Sequence, residues 1–259
     1  MRLLLLVLVT TLGSAHAADW HMLPDPAARA VPLAQGSPES TGVPRIINGV
    51  PTTAYPAVAA LDILKPTGEF LCTGTLVSPS VILTAAHCVD NDPVVIDAIF
   101  FPNSSTESHY AAVAYAIHPE YRFPAADLAM LLLEAPVVGI DPVPLAGRPP
   151  RPRTVGTIVG YGADETGNVG VKEMGTVRLK RCPRRVPALG LQRGDLARAL
   201  CWQSQPSGQD TCHGDSGGPL LVDGALAGVT SGGDPNCSGL LSWDTRVMAF
   251  RPWIASLLR

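Results

Sequence analysis

Charge is scarce in this chain, and neither sign prevails. Charged residues make up 16% of it and the net charge is −3. There is no basic footprint for nucleic acid and no polybasic patch for a membrane surface, so neither is expected as a partner. Aromatic residues are only 5%. No CxxC, HExxH or paired-histidine spacing occurs. Neither zinc nor any other cofactor is therefore expected. The acids of "NDPVVIDAIFFPNSSTES" are too scattered for a calcium loop. No βαβ alternation and no short repeat is found, which counts against a doubly wound sheet. Beyond the N-terminus, no apolar run is long enough to span a bilayer.

Glycine and proline are plentiful, 25 of each. With few aromatics, that balance favours short strands and many turns over long helices. The 259 residues suffice for one large domain or two small ones. Short apolar runs recur between turn residues: "LVSPSVILTAA", "VVIDAIFF", "DLAMLLLEAP", "TVGTIVGYG" and "PLLVDGALAGVTSGG". Runs of this length with turn signals between them predict an all-β sandwich or barrel. Only the tail "MAFRPWIASLLR" has helical spacing, through Phe250, Trp253, Ile254, Leu257 and Leu258.

The first 17 residues read as a secretory signal. One Arg precedes an apolar run, and Ala15-His16-Ala17 supplies a small-x-small ending with cleavage after Ala17. The rival, a membrane anchor, fails because Leu3 to Leu12 is too short to cross a bilayer. The expected location is secreted, extracellular or periplasmic. Residues 18–45 hold five prolines and few large apolar groups, which predicts a flexible pro-segment. Cys72, Cys88, Cys182, Cys201, Cys212 and Cys237 follow. An even number in an oxidising compartment predicts three disulfides, with connectivity left open by the residues themselves. Asn103-Ser104-Ser105 is a glycosylation sequon, meaningful in a eukaryotic secretory route.

The stretch "DTCHGDSGGP", Asp210 to Pro219, is the first candidate for chemistry. A serine hydroxyl is a weak nucleophile that needs a base, an orienting acid and N–H donors for the oxyanion. Glycines around Ser216 suit the last need. Gly, Asp, Ser and Pro are also common in ordinary turns, so composition alone does not decide. Gly-Asp-Ser-Gly-Gly matches a nucleophile elbow as a string, but the strand that follows it lacks the helix an α/β hydrolase requires. Among six histidines, His87 stands at the end of an apolar strand beside Cys88, whereas His213 shares the turn of Ser216. Composition does not choose among them.

Four motifs in order do. "RIINGV" at 45–50, "LTAAHC" at 83–88, "DLAMLLLEAP" at 127–136 and "GDSGGPL" at 214–220 resemble the trypsin/chymotrypsin-like serine proteases. "CTGTL" at 72–76 is similar to that family's Cys-Gly-Gly-Ser-Leu, with Thr73 for one glycine. The resemblance runs from about Ile46 to Arg259. It implies two antiparallel six-stranded β-barrels with the active site in the cleft between them, and a short C-terminal helix. It implies a secreted zymogen: signal 1–17, activation peptide 18–45, protease domain 46–259. Protein or peptide substrates would be the partners, with protein protease inhibitors, and the molecule would be a monomer.

The resemblance also assigns roles. Ser216 would be the nucleophile, His87 the base and Asp127 its orienting acid, with the Gly214 and Ser216 amides as the oxyanion hole. Disulfides would join Cys72–Cys88, Cys182–Cys201 and Cys212–Cys237. Cleavage after Arg45 would free the Ile46 ammonium to pair with Asp215. Asp210 would sit at the base of the primary specificity pocket and select Arg or Lys, with walls at Ser231, Gly233 and Ser242. Family members usually have Trp where Gly232 stands, so an apolar platform is expected to be lost. Ser242 replaces a usual Gly and would narrow the pocket. Two rivals remain: a catalytically weak or inactive protease-like binding protein, and a protease or esterase with non-basic specificity.

Overall fold

The computed structural model describes residues 20–24, 46–162, 171–183, 192–203, 208–234, 237 and 241–258. Two very short strands come first, β1 (His21–Met22) and β2 (Val50–Pro51). Then β3 (Val58–Lys65), β4 (Gly68–Ser78), β5 (Val81–Thr84), β6 (Val95–Phe100), β7 (Ser108–Ile117) and β8 (Ala129–Leu133) form one sheet in the order β7-β6-β3-β4-β5-β8. β8 returns to β7, so the sheet closes into a six-stranded antiparallel barrel.

The second barrel repeats the plan. β9 (Val155–Gly160), β10 (Glu173–Lys180), β11 (Ala199–Gln203), β12 (Pro219–Val222), β13 (Ala225–Gly233) and β14 (Ser242–Arg246) run β11-β14-β13-β12-β9-β10 and close through β10 and β11. Closure gives every barrel strand two neighbours, although β6 leaves one edge of β7 open beyond Ala111, so short strands of modest apolar content suffice. Fully buried Val58, Leu61, Ile63, Leu76, Ile82 and Leu83 fill the first barrel. Ile158, Trp202 and Leu220 fill the second. Tyr161 joins the two: it is 1% exposed and its hydroxyl donates to the Val58 carbonyl at 3.3 Å.

Helices are few and short: α1 (Ala86–Val89), α2 (Arg193–Leu196) and α3 (Arg251–Leu257), the last entered from a 3-10 turn at Val247–Phe250. Pro252 lies in the first turn of α3, where a missing N–H costs nothing. Ile254 and Leu257 are buried. Phe250 and Trp253 pack edge-on against His118 of the first barrel, at 4.8 and 5.0 Å between ring centres. Among the described residues, no helix is long and apolar enough to cross a membrane. The structure pairs Cys72–Cys88, Cys182–Cys201 and Cys212–Cys237.

Residues 20–24 depart from the expectation of a flexible segment. β1 pairs antiparallel with β7, His21 opposite Tyr115 and Met22 opposite Ala114. Leu23 is 8% exposed and enters the first barrel's core. The composition of 18–45 as a whole is poor in core residues, but a strand needs only one or two well-placed ones to add to an open edge.

Candidate active site

The apolar strand β5 ends at Thr84 and the chain turns into α1, which carries His87. That single turn of helix cannot hold itself. The Cys72–Cys88 bridge ties it to β4. Lys65, only 7% exposed, donates from Nζ to the His87 carbonyl at 3.2 Å and to Asp90 Oδ1 at 3.0 Å. Tyr121 donates its hydroxyl to the other Asp90 oxygen at 2.9 Å.

Asp127 stands just before β8 and is fully buried. A buried carboxylate is costly unless donors surround it, and here three do. The His87 amide donates to Oδ1 at 2.9 Å. His87 Nδ1 lies 2.7 Å from Oδ2, and the Ser231 hydroxyl donates to Oδ2 at 2.7 Å. Burial pushes the His87 imidazole down, but the Asp127 charge and hydrogen bond outweigh it, and its pKa ends above the ordinary value. The imidazole should therefore titrate above about 6.5. Asp127→Asn should lower that midpoint, since burial is then opposed chiefly by Asp90. NMR titration of the ring checks this; a midpoint unchanged by the substitution would contradict it.

Ser216 comes from the second barrel, on the turn before β12. Thr73 of β4 clamps this turn from across the junction. Its amide donates to the Ser216 carbonyl at 2.8 Å and its hydroxyl to the Gly214 carbonyl at 2.9 Å. That hydroxyl in turn accepts from the Tyr161 amide at 3.1 Å. The Ser216 carbonyl oxygen lies 3.7 Å from Cys88 Sγ, a packing contact next door to His87. Glycine is required twice. Gly214 has φ +91°, and a β-carbon there would come within 2.7 Å of Gly162. Gly217 has φ +82°, and a β-carbon would meet Thr84 Oγ1 at 2.1 Å. Among the described residues, the Gly214 and Ser216 amides donate to no acceptor of the chain.

The two acids of the serine stretch separate in space. Asp215 is fully buried; it accepts from the Cys212 amide at 2.9 Å and the Gly162 amide at 3.0 Å. Burial pushes its pKa up to about 7, with the nearby charges of Glu173 and Asp210 adding to the rise. Asp210 is 1% exposed. Its Oδ1 accepts from Ser242 Oγ at 2.6 Å, Thr211 N at 2.9 Å and Trp202 Nε1 at 3.2 Å. Its Oδ2 has no hydrogen-bond partner among the described residues. Burial raises its pKa, and those three donors pull it back in part.

Several sequence expectations meet a different geometry. Ser231 was expected as pocket wall, yet its hydroxyl turns to Asp127 and leaves only backbone for a substrate. A side chain at 232 would have no room beside the next strand. A β-carbon on Gly232 would lie 2.5 Å from the Trp243 indole, so that ring already fills the space. Gly233 has Ser242 Oγ 3.0 Å from its β-carbon position, which sets the hydroxyl of Ser242 between the wall and Asp210. Arg45 lies outside the described residues.

Asp244 went unassigned in the sequence. It is fully buried, two residues beyond Ser242 on β14 and so on the same face. Burial raises its carboxyl well above the usual range, Thr230 opposite it on β13 opposes this, and Asp210 adds to it. The other described histidines have separate places: His109 between Asp97 and Glu107 on the surface, His118 under α3, His21 in β1 and His213 exposed.

Two closed barrels meeting at such a junction define the chymotrypsin-like class of fold. The solved structure of GrC superposes with a TM-score of 0.72, covering 82% of this chain and 99% of that one at 23% identity, a likeness that carries the fold alone. The family model described as Trypsin matches residues 46–254, and the chain belongs to that family of serine proteases. It is 34% identical over 198 residues to the snake venom serine protease serpentokallikrein-1 of Protobothrops mucrosquamatus, across 70% of this chain and 73% of the relative. It is also 34% identical over 193 residues to a trypsin of Saccharopolyspora erythraea, across 70% and 82%.

Proposed function

We propose that the protein is a secreted serine endopeptidase, made as a zymogen, that cuts peptide bonds after Arg or Lys. The observation that carries the chemistry is the His87–Asp127 pair at 2.7 Å, held beside the turn of Ser216. Ser216 Oγ attacks the scissile carbonyl while His87 takes its proton. The oxyanion forms against the Gly214 and Ser216 amides, which no acceptor of the described residues occupies. His87 then gives the proton to the leaving amine, and an acyl-enzyme remains on Ser216. Water, deprotonated by the same imidazole, releases the acid. Asp127 keeps the Nδ1 proton in place and stabilises the imidazolium. Ser231 and the His87 amide prevent that carboxylate from turning.

Specificity rests on Asp210. Its Oδ2 is a buried acceptor with no donor among the described residues, which a basic side chain would supply. Activation rests on Asp215. Ile46 is 1% exposed, and the Ile47 amide already donates to the Asp210 carbonyl at 2.7 Å. Cutting after Arg45 would add an ammonium to a site where Asp215, Glu173 and Asp210 concentrate negative charge. Such a pair contributes geometry more than net stability. In the uncut chain, the raised Asp215 pKa means that stability falls as pH rises from about 4 toward about 7. An ammonium partner should remove that fall.

Because residues before Ile46 end in Arg, the enzyme should process itself. Purified Ser216→Ala zymogen should stay uncut alone and be cut after Arg45 by a trace of active enzyme. Processing of the lone variant would sink self-activation. N-terminal sequencing that fails to find Ile46 would sink the activation site.

A further inference from the structure

The segment ahead of the activation site is built into the first barrel. β7 is shared along its length: Ser108–Ala111 pair with β6, and from Ala112 onward β7 pairs with β8 on its other side. The edge that β6 leaves is taken by β1, with His21 opposite Tyr115 and Met22 opposite Ala114. The Leu23 amide donates to the Val113 carbonyl at 2.9 Å. Leu23 is 8% exposed among the core residues, and Trp20 packs against the same cluster. His21 stacks on Tyr115, with ring centres 5.1 Å apart and planes at 23°. Three consecutive residues thus pair with β7, and the side chains on either side of His21 and Met22 reach the core.

We propose that residues 20–24 are a docking strand that keeps the segment upstream of Arg45 bound to the first barrel after the chain is cut. The activated enzyme is then a two-chain molecule joined by strand addition. This rests on the proposed activation after Arg45. No covalent link does the work: residues 18–45 contain no cysteine, and all six cysteines pair within the body. Strand addition suits the task, because main-chain bonds supply attachment and one buried side chain sets the register. Leu23 and Trp20 also cover apolar surface that their departure would expose to water.

The test separates retention from natural activation. Residues 41–45 are replaced by the five-residue enteropeptidase site Asp-Asp-Asp-Asp-Lys in a Ser216→Ala chain, so the cut before Ile46 is imposed. After cutting, native size-exclusion chromatography and mass spectrometry should find the upstream peptide with the body at about one to one. Leu23→Asp should lower that retention at least tenfold. Hydrogen exchange on the cut protein gives a second readout: the Leu23 amide should remain protected. A peptide that elutes free under native conditions, or an unprotected Leu23 amide after cutting, overturns the proposal. Whether the same cut in the Ser216 enzyme produces activity reports on the activation reading alone.

Discussion

Asp210→Ser should cost the activated enzyme roughly 100- to 10,000-fold in kcat/KM on Arg and Lys reporter peptides, the equivalent of losing about 3–5 kcal/mol from a buried charge pair. Phe and Ala peptides should be little affected. Asp210 offers one committed oxygen, held by Ser242, Thr211 and Trp202, and one uncommitted oxygen. In the proposed specificity, the committed oxygen orients the group and the other would face an incoming cation. A serine keeps some of the hydrogen bonding but none of the charge. Because burial raises the Asp210 pKa, its ionised form fills in as pH rises, so KM for basic peptides should fall across that rise. Equal cutting of basic and apolar peptides by the unmodified enzyme would overturn the specificity assignment.

Asp127→Asn should lower kcat about ten-thousand-fold with little change in KM. Among the described residues, all three partners of the Asp127 carboxylate are donors: the His87 amide, His87 Nδ1 and Ser231 Oγ. An asparagine must turn its own NH₂ toward one of them. If it faces the imidazole, the wrong tautomer results and Nε2 can no longer accept the serine proton. Circular dichroism should show the fold retained, and the pH midpoint of His87 should move down. A loss under tenfold would mean that His87 does not act through Asp127. Ser231 sharpens the test, since Ser231→Ala removes one donor and leaves the tautomer intact. It should cost far less than the change at Asp127.

How much of this was legible in the residues depends on distance along the chain. The strand runs and the C-terminal helix were readable because periodicity is local: Ile254 and Leu257 face inward where the tail's spacing places them. The glycines at 214 and 217 were readable as candidates, since a positive φ favours glycine wherever it occurs. Thr73 was visible only as a departure from a motif. Its hydroxyl proves to span the junction, donating to the Gly214 carbonyl 141 residues away. The motif marks Gly232 as lacking a side chain, but that Trp243 of the neighbouring strand crowds the position is a matter of tertiary packing. Composition also misjudged residues 20–24, because four prolines further along outweighed one leucine that finds a slot.

The sequence by itself determined the all-β class with its C-terminal helix, the glycine-flanked serine, the even cysteine count and the order of motifs that marks the family. These follow from backbone sterics, side-chain periodicity and chemistry confined to a few neighbouring residues. Only the tertiary structure decided that His87 is the histidine that meets Asp127, that Ser231 serves Asp127, and that one Asp210 oxygen has no partner among the described residues. It alone decided that Asp215 is buried with two amides and that Trp20–Leu23 complete an edge of β7. Each of those outcomes depends on which surfaces two closed barrels press together. A pattern of period two specifies that a side chain faces inward, but what it meets there is set by strands distant in the chain.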